Sequence, residues 1–190
     1  MRLFFAIMLP PDVQASIYRL RQQLAWLPIR PSYTAQENLH ITLKFLGEVG
    51  DAEVAALASQ VTDAAHLSGP LRLRPDHVVM FPPEGSARVL GVGFCGDVEA
   101  VCRLQAELEK VCQGRGLPAE NRAYTPHATV ARFRDGLHGR HRTRVEESWR
   151  ELAALPEFVV YSFQLMQSVL GPEGSRYIVV ARYGGGGSDQ

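Results

Sequence analysis

The chain has 190 residues, of which 46% are hydrophobic and 21% are charged, and its 20 basic and 20 acidic side chains give a formal net charge of zero. This composition excludes a disordered chain and argues against a strongly basic nucleic-acid clamp, and no apolar run is long enough to cross a membrane. The length favours one domain, or two small lobes that share a core. Three cysteines without a Cys-x-x-Cys spacing predict free thiols and a reducing, cytoplasmic location.

Hydrophobic periodicity predicts alternating strands and helices in the first half of the chain. Residues 2–9 are predicted to form a strand and not a secretory signal, since prolines follow them instead of a small-residue cleavage site. Apolar residues at spacings of three and four predict a helix over 11–27, and a second helix begins near Asp51. A strand at 39–46 separates the two helices. Further strands at 71–81 and 87–95 form a hairpin-like unit.

The second half of the chain continues this alternation. The pattern predicts, in order, a helix over 97–112, a strand over 127–133, a basic loop over 134–142, a short helix over 144–154, and paired strands over 159–170 and 176–182. The glycine-rich residues 184–190 are predicted to form a flexible tail. Because turns join several strands directly, we expect an α+β fold with antiparallel sheets and not a parallel sheet.

Two of the predicted strands carry the same His-x-Thr sequence, one in each half of the chain, at His40–Thr42 and His127–Thr129. Side chains alternate between the two faces of a strand, so the histidine and threonine of each pair share a face and apolar residues occupy the other. Regular alternation also places Lys44 beside the first pair and Phe45 on the opposite, buried face. Each pair therefore offers an imidazole and a hydroxyl at one surface.

Two such imidazoles suit displacement reactions at phosphorus. One removes a proton from the attacking oxygen and the other protonates the leaving oxygen, since imidazole titrates near neutral pH, while the hydroxyls hold the phosphate oxygens. Two other interpretations stay open: hydrogen-bonded structural histidines, with threonine chosen for its β propensity, and metal ligands, although no further ligand stands at the usual spacing. A third match, at His141–Thr143, lacks the flanking apolar alternation and indicates coincidence.

The sequence around both pairs resembles the RNA 2′,3′-cyclic phosphodiesterases, also called 2′-5′ RNA ligases, of the two-histidine phosphoesterase superfamily. Residues 37–49 (ENLHITLKFLGEV) are similar to the first motif of that family, and residues 124–132 (YTPHATVAR) to the second. Residues 2–7 and 168–177 also match in character, so the resemblance spans nearly the whole chain. It implies a single bilobal domain over residues 1–183, with two antiparallel sheets flanked by helices and one His-x-Thr strand per lobe facing a central groove.

The resemblance also implies a reaction on RNA ends. His127 corresponds to the proton acceptor, which activates water against a 2′,3′-cyclic phosphate, and His40 to the proton donor, which protonates the departing 3′ oxygen. Thr42 and Thr129 correspond to phosphate-binding residues. The expected product is a 2′-phosphomonoester, formed without metal, cofactor or ATP. Related chemistry with an RNA 5′-hydroxyl makes or reverses a 2′-5′ linkage.

The partner implied by the resemblance is RNA with a 2′,3′-cyclic phosphate end, such as a tRNA half, or a small cyclic nucleotide. We expect a monomer that does not bind a membrane. Two alternative functions stay open: a cyclic phosphodiesterase of small nucleotides, and a non-catalytic RNA-binding module. The family often has an aromatic residue in the loop before the first motif, and Tyr33 stands in that region of this chain.

Arginines cluster after the second pair, and three of them, Arg132, Arg140 and Arg142, are candidates for RNA contacts. A basic loop at the mouth of the groove would attract an RNA backbone, and an ordinary solvated loop is the alternative. In a regular strand Arg132 points away from His127, so a phosphate-binding role for Arg132 requires a bulge.

Overall fold

A computed structural model describes residues 1–65, 67, 69–172 and 174–184, so the predicted tail lies outside the described residues apart from Gly184. The strands are β1 Arg2–Met8, β2 Ser32–Tyr33, β3 His40–Glu48, β4 Leu71–Phe81, β5 Ala87–Gly96, β6 His127–Leu137, β7 Phe158–Val160, β8 Phe163–Gly171 and β9 Gly174–Tyr183. The α-helices are α1 Pro11–Leu20, α2 Asp51–Ala64, α3 Val98–Gly114 and α4 Gly139–Ser148. Short 3-10 turns cover Arg21–Leu24, Gln36–Asn38 and Arg150–Ala154.

The strands form one antiparallel sheet in the order β7-β4-β5-β6-β3-β1-β8-β9, with β2 paired to β6. The predicted α+β fold is confirmed. The two expected sheets are instead halves of this single sheet, joined where Ile41 of β3 lies opposite Ala128 of β6. Both residues are fully buried, so the junction is part of the core. The two His-x-Thr strands are therefore neighbours at the centre of the sheet.

The two faces of the sheet differ in what covers them. One face carries the main core, on which α2 and α3 pack, and α3 contacts β3 directly. The opposite face carries only a small buried cluster of Phe4, Ala6 and Met166 among the described residues, flanked by Met8 and Tyr177. This second face is the open one, and the histidines of both pairs belong to it.

Both His-x-Thr strands contain a bulge directly after the threonine. The register between β1 and β3 skips Leu43, and the register between β5 and β6 skips Val130. An extra residue in one strand reverses the facing of the residues that follow it, up to the next shift in register. The burial patterns of β3 and β6 are accordingly identical over their first nine residues.

The first bulge makes the predicted facing of Lys44 and Phe45 wrong. Lys44 is only 5% exposed and lies on the core side, where its Nζ is 2.9 Å from Oε2 of Glu109 and donates to the carbonyl oxygen of Pro118 at 2.7 Å. Phe45 lies on the open face and is 63% exposed. The aromatic ring, and not the ammonium group, therefore accompanies the first histidine.

The predicted basic loop over 134–142 is also wrong. β6 continues to Leu137, which lies opposite Ala87 of β5, and α4 begins at Gly139. Pairing with β5 at Arg132 and again at Leu137 brackets residues whose own composition favours a loop. Gly136 takes a positive φ of 78° near the end of this ladder, a backbone conformation that glycine adopts at low cost.

Candidate active site

His40, at the start of β3, is held through both of its ring nitrogens. Nδ1 lies 2.6 Å from the carbonyl oxygen of Asn38, and Nε2 lies 2.9 Å from Oγ1 of Thr42. Because a carbonyl oxygen only accepts hydrogen bonds, Nδ1 carries the hydrogen and the lone pair of the neutral ring is on Nε2. The Thr42 hydroxyl then donates to Nε2, and it accepts from Nε2 once the ring is protonated.

His127, at the start of β6, has the same tautomer. Its Nδ1 donates to the carbonyl oxygen of Thr125 over 2.7 Å, which leaves the lone pair on Nε2. Within the described part of the chain, no group hydrogen-bonds to this Nε2. The two imidazoles therefore differ: the reactive nitrogen of His127 has a free lone pair, whereas that of His40 is already engaged with Thr42.

The antiparallel junction brings the two pairs together. Since Ile41 lies opposite Ala128, the chain directions place His40 toward Thr129 and Thr42 toward His127. Neighbouring strands are about 4.8 Å apart, and diagonal neighbours across them about 7–8 Å. This spacing suits a single phosphate held between the two imidazoles.

Aromatic rings cover both imidazoles. The ring centroids of Phe4 and Tyr177 lie 5.1 Å and 5.3 Å from that of His40, and Phe81 lies 4.6 Å from His127. These rings exclude water from the histidines and so disfavour their charged forms.

Burial is accordingly the main influence on both histidine pKa values. It lowers the pKa of His40 to about 4, against the opposing effect of the hydrogen bond to Asn38, and the charges of His127 and Arg132 lower it further. Burial also lowers the pKa of His127, against its hydrogen bond to Thr125, with a further contribution from Arg132. In the free protein at neutral pH, both rings are therefore neutral. A phosphate anion placed between them would raise both pKa values.

The structure places the three candidate arginines in different surroundings. The bulge at Val130 turns Arg132 onto the open face. There its positive charge acts to lower the pKa values of His40, His127 and Tyr177. Arg140 is exposed on α4 and lines a separate cavity that contains neither histidine. Arg142 donates to the carbonyl oxygens of the β4–β5 turn, which are those of Pro82, Pro83 and Gly85. This arrangement argues against an RNA contact by Arg142, since its donors already stabilise the turn.

Several neighbours of the site have no motif of their own in the sequence. Phe4, Tyr177 and Phe81 come from three other strands, whereas Tyr33 lies opposite Ala131 and packs against the main core instead of the histidines. No local pattern marks Phe4, Tyr177 or Phe81 because their proximity depends on the order of the strands.

One further neighbour of the site, His77, is indicated by a pattern in the sequence. The Gly-Val-Gly sequence at Gly91–Gly93 in an otherwise apolar strand is typical of close approach by neighbouring groups. Gly93 lies opposite His127 in β6 and opposite His77 in β4, and the His77 ring occupies the space that a side chain at position 93 would need. Nδ1 of His77 lies 3.1 Å from Oδ2 of Asp76. A third imidazole therefore lies two strands from His127, across Gly93.

The described residues contain no group of three or more histidine, cysteine, aspartate or glutamate side chains that could hold a metal ion. None of the described helices is long and apolar enough to cross a membrane.

The fold and the site together define a protein of the two-histidine type, with one His-x-Thr strand in each half of a sheet. The chain belongs to the 2′-5′ RNA ligase superfamily, whose family model matches residues 9–171. It is 30% identical to a Thermus thermophilus protein named RNA 2′,3′-cyclic phosphodiesterase, over 96% of this chain and 89% of that one. It is 26% identical to a protein of the same name from Methanocaldococcus jannaschii, over 96% and 100%. The crystal structure of E. coli LigT with 3′-AMP superimposes with a TM-score of 0.76 at 25% identity, covering 96% of this chain and 97% of that one.

Proposed function

We propose that this protein hydrolyses 2′,3′-cyclic phosphate ends of RNA to 2′-phosphomonoesters, with two imidazoles as base and acid. The observation that carries the proposal is the pair of imidazole Nε2 atoms on neighbouring strands. That of His127 has a free lone pair, and that of His40 is hydrogen-bonded to the Thr42 hydroxyl. Relatives named RNA 2′,3′-cyclic phosphodiesterase, and a relative solved with 3′-AMP, support an RNA or nucleotide substrate.

In the proposed reaction, Nε2 of His127 removes a proton from a water molecule as the water oxygen attacks phosphorus. The bond between phosphorus and the 3′ oxygen breaks, and protonated Nε2 of His40 gives its proton to that oxygen. The ring opens to a 2′-phosphomonoester and a 3′-hydroxyl, and the two histidines end with their protonation states exchanged. Return of a proton from His127 to solvent and from solvent to His40 completes the cycle.

The negative charge that builds on the phosphate oxygens has three counterparts on the open face. Thr42 and Thr129 offer hydroxyl donors, and Arg132 offers a guanidinium that can bind two oxygens at once. Arg132 also disfavours protonation of His40 in the free protein. The substrate anion compensates this effect, so His40 gains its proton together with the phosphate and not before it.

The test is turnover of an oligoribonucleotide with a 2′,3′-cyclic phosphate end, in EDTA and without ATP, with the product phosphate located by chromatography against 2′- and 3′-phosphate standards. We expect a 2′-phosphate, and we expect His40→Ala and His127→Ala each to lose nearly all turnover while keeping the wild-type circular dichroism spectrum. A 3′-phosphate product would reverse the leaving oxygen and reject the assigned roles. Substantial turnover by either variant would reject acid-base catalysis by the pair.

The same assay separates the alternatives. Turnover of cyclic mononucleotides but not of oligonucleotides would indicate a small-molecule phosphodiesterase, and RNA binding without product would indicate a binding module. Incubation of a cyclic-phosphate end with an RNA 5′-hydroxyl tests the related 2′-5′ ligation. We expect the protein to act as a monomer in the cytoplasm, which light scattering and cell fractionation would test.

A further inference from the structure

A cavity that is lined by neither His40 nor His127 lies between the end of the first helical segment and α4. It has a volume of about 450 Å³ and is lined by Trp26, Pro28, Arg140, His141 and Arg144. The Arg144 guanidinium lies 4.0 Å above the centre of the Trp26 ring, and the His141 ring lies 5.8 Å from it. We call this space the Trp26 cavity. Its volume falls in the range of pockets that hold one small ligand, such as a single nucleotide.

The lining of the Trp26 cavity combines an indole, an imidazole and two guanidinium groups, without a carboxylate. Among the described residues, neither Arg140 nor Arg144 forms an ion pair, whereas Arg142 between them is paired with Glu146. An aromatic face beside unpaired arginines is the arrangement with which proteins bind single-stranded nucleic acid, stacking a base and holding its phosphates. Unpaired guanidinium groups around an aromatic ring therefore indicate an anionic, aromatic ligand.

A short segment of the chain also links the Trp26 cavity to the open face of the sheet. Pro28 lines the cavity, and four residues later Ser32 lies opposite Arg132 in the pairing of β2 with β6. Four residues of extended chain span at most about 14 Å. Arg30, which is exposed, lies between these two points. Exposed arginines thus occur on the open face at Arg132, in the connecting segment at Arg30, and at the Trp26 cavity.

We propose that the Trp26 cavity binds an upstream nucleotide of the RNA strand whose cyclic phosphate end occupies the catalytic groove. The base packs beside the stacked Trp26 and Arg144 side chains and against His141, and the adjoining phosphates contact Arg140 and the N–H edge of Arg144. This inference rests on the proposed function and narrows its substrate class to RNA strands of several nucleotides. A cyclic mononucleotide would fill the groove without reaching the cavity.

The kinetic test compares an octanucleotide with a dinucleotide, both ending in a 2′,3′-cyclic phosphate. In R140Q/R144Q, we expect the ratio of kcat/KM for the octanucleotide to that for the dinucleotide to fall about tenfold or more. We also expect the slope of log affinity against log salt for the octanucleotide to decrease by about 1.4, at about 0.7 for each lost phosphate contact. An unchanged ratio overturns the inference, whether neither substrate is affected or both lose kcat/KM equally, and so does an unchanged salt slope.

The matched control is R103Q/K110Q, which removes two exposed positive charges from α3. α3 packs on the core side of the sheet, where Glu109 meets Lys44, and so lies across the sheet from the histidines. We expect this control to leave both the ratio and the salt slope at wild-type values. If the control reduces them as much as R140Q/R144Q does, the effect is one of net charge and the inference is overturned.

A binding experiment tests the cavity without turnover. The chain has two tryptophans, and Trp149 is only 1% exposed, so a ligand that reaches tryptophan from solvent reports on Trp26. We expect an octanucleotide with a 2′-phosphate end to quench the fluorescence, and W26F to lose this quenching. R140Q/R144Q keeps both tryptophans, and we expect it to need about tenfold more octanucleotide for the same quenching.

The two experiments distinguish failure of the inference from failure of the proposed function. Quenching by the octanucleotide without turnover of any cyclic phosphate would reject the proposed function and retain the RNA site. Normal turnover without quenching would reject the RNA site alone. Equal quenching by a mononucleotide and by the octanucleotide would also reject it, because the cavity would then be an independent nucleotide site.

Discussion

Replacing His40 by glutamine isolates the energetic effect of burying a neutral imidazole beneath Phe4 and Tyr177. The pKa of His40 is lowered by burial from 6.5 to about 4. Because the folded-state pKa lies below that of the unfolded chain, the unfolded chain takes up a proton first as the pH falls. The stability associated with the neutral ring is therefore present above about pH 6.5 and is lost progressively toward pH 4. The difference corresponds to about 3 kcal/mol of unfolding free energy, at about 1.4 kcal/mol for each tenfold change in proton binding.

Urea unfolding of the wild type and of His40→Gln between pH 7.5 and pH 4 measures this quantity. We expect the unfolding free energy of the variant, relative to the wild type, to rise by about 3 kcal/mol over that range. An NMR titration of the histidine Cε1 protons, with the His40 signal identified by its loss in the variant, gives the pKa directly. A relative stability that does not change with pH, or a His40 signal that titrates near 6.5, would refute the reasoning.

The same pKa values predict how the rate depends on pH. The profile of kcat/KM reports the acid and base of the free protein. Since the pKa values of both His40 and His127 are lowered, we expect kcat/KM to be highest below pH 6.5. The kcat profile should extend to higher pH, because the bound phosphate raises the pKa of His40. A kcat/KM maximum above pH 7 would contradict this order of events.

Three further substitutions test the surroundings of the pair. Arg132→Gln should raise the pKa values of His40 and His127 by NMR, because their neighbouring cation is lost, and should weaken 2′-AMP binding about 10- to 100-fold by calorimetry. Tyr124→Phe removes the hydroxyl that donates to the Thr42 carbonyl oxygen over 3.0 Å, and should lower the unfolding free energy in urea by about 1 kcal/mol. Gly91→Ala places a Cβ 2.8 Å from the Ala128 carbonyl oxygen and should cost about 1–3 kcal/mol by the same measurement, whereas wild-type stability would show that the sheet adapts.

The sequence predicts the positions of the four His-x-Thr side chains correctly because these positions depend on local rules. A period of two places His40 with Thr42, and His127 with Thr129, on one face of each strand, since no bulge falls between the members of either pair. Apolar spacing likewise predicts the first helix, although its last predicted turns are a 3-10 segment at Arg21–Leu24. Local rules therefore suffice where the chain remains regular.

The failures lie where partner strands decide the local structure. The register with β1 turns Lys44 inward, toward an ion pair with Glu109 that is 65 residues away in sequence. Pairing with β5 at Arg132 and again at Leu137 carries β6 past residues that alone favour a loop. The junction of Ile41 with Ala128 merges the two expected sheets into one. Each of these features depends on contacts between distant segments, which no local pattern in a single sequence specifies.

The two bulges make the open face of the sheet asymmetric. Each turns the third residue after the threonine onto the open face, and this residue is Phe45 in one half and Arg132 in the other. An exposed aromatic ring suits a base and a guanidinium suits a phosphate, so under the proposed function we expect Phe45 and Arg132 to set the direction in which a nucleotide lies across the sheet. Phe45→Ala should therefore raise KM for a cyclic nucleotide about 5- to 100-fold through lost stacking, while inhibition by inorganic phosphate stays at the wild-type value. Weaker inhibition by phosphate in this variant, to the extent expected for Arg132→Gln, would show that the two positions do not divide base and phosphate between them.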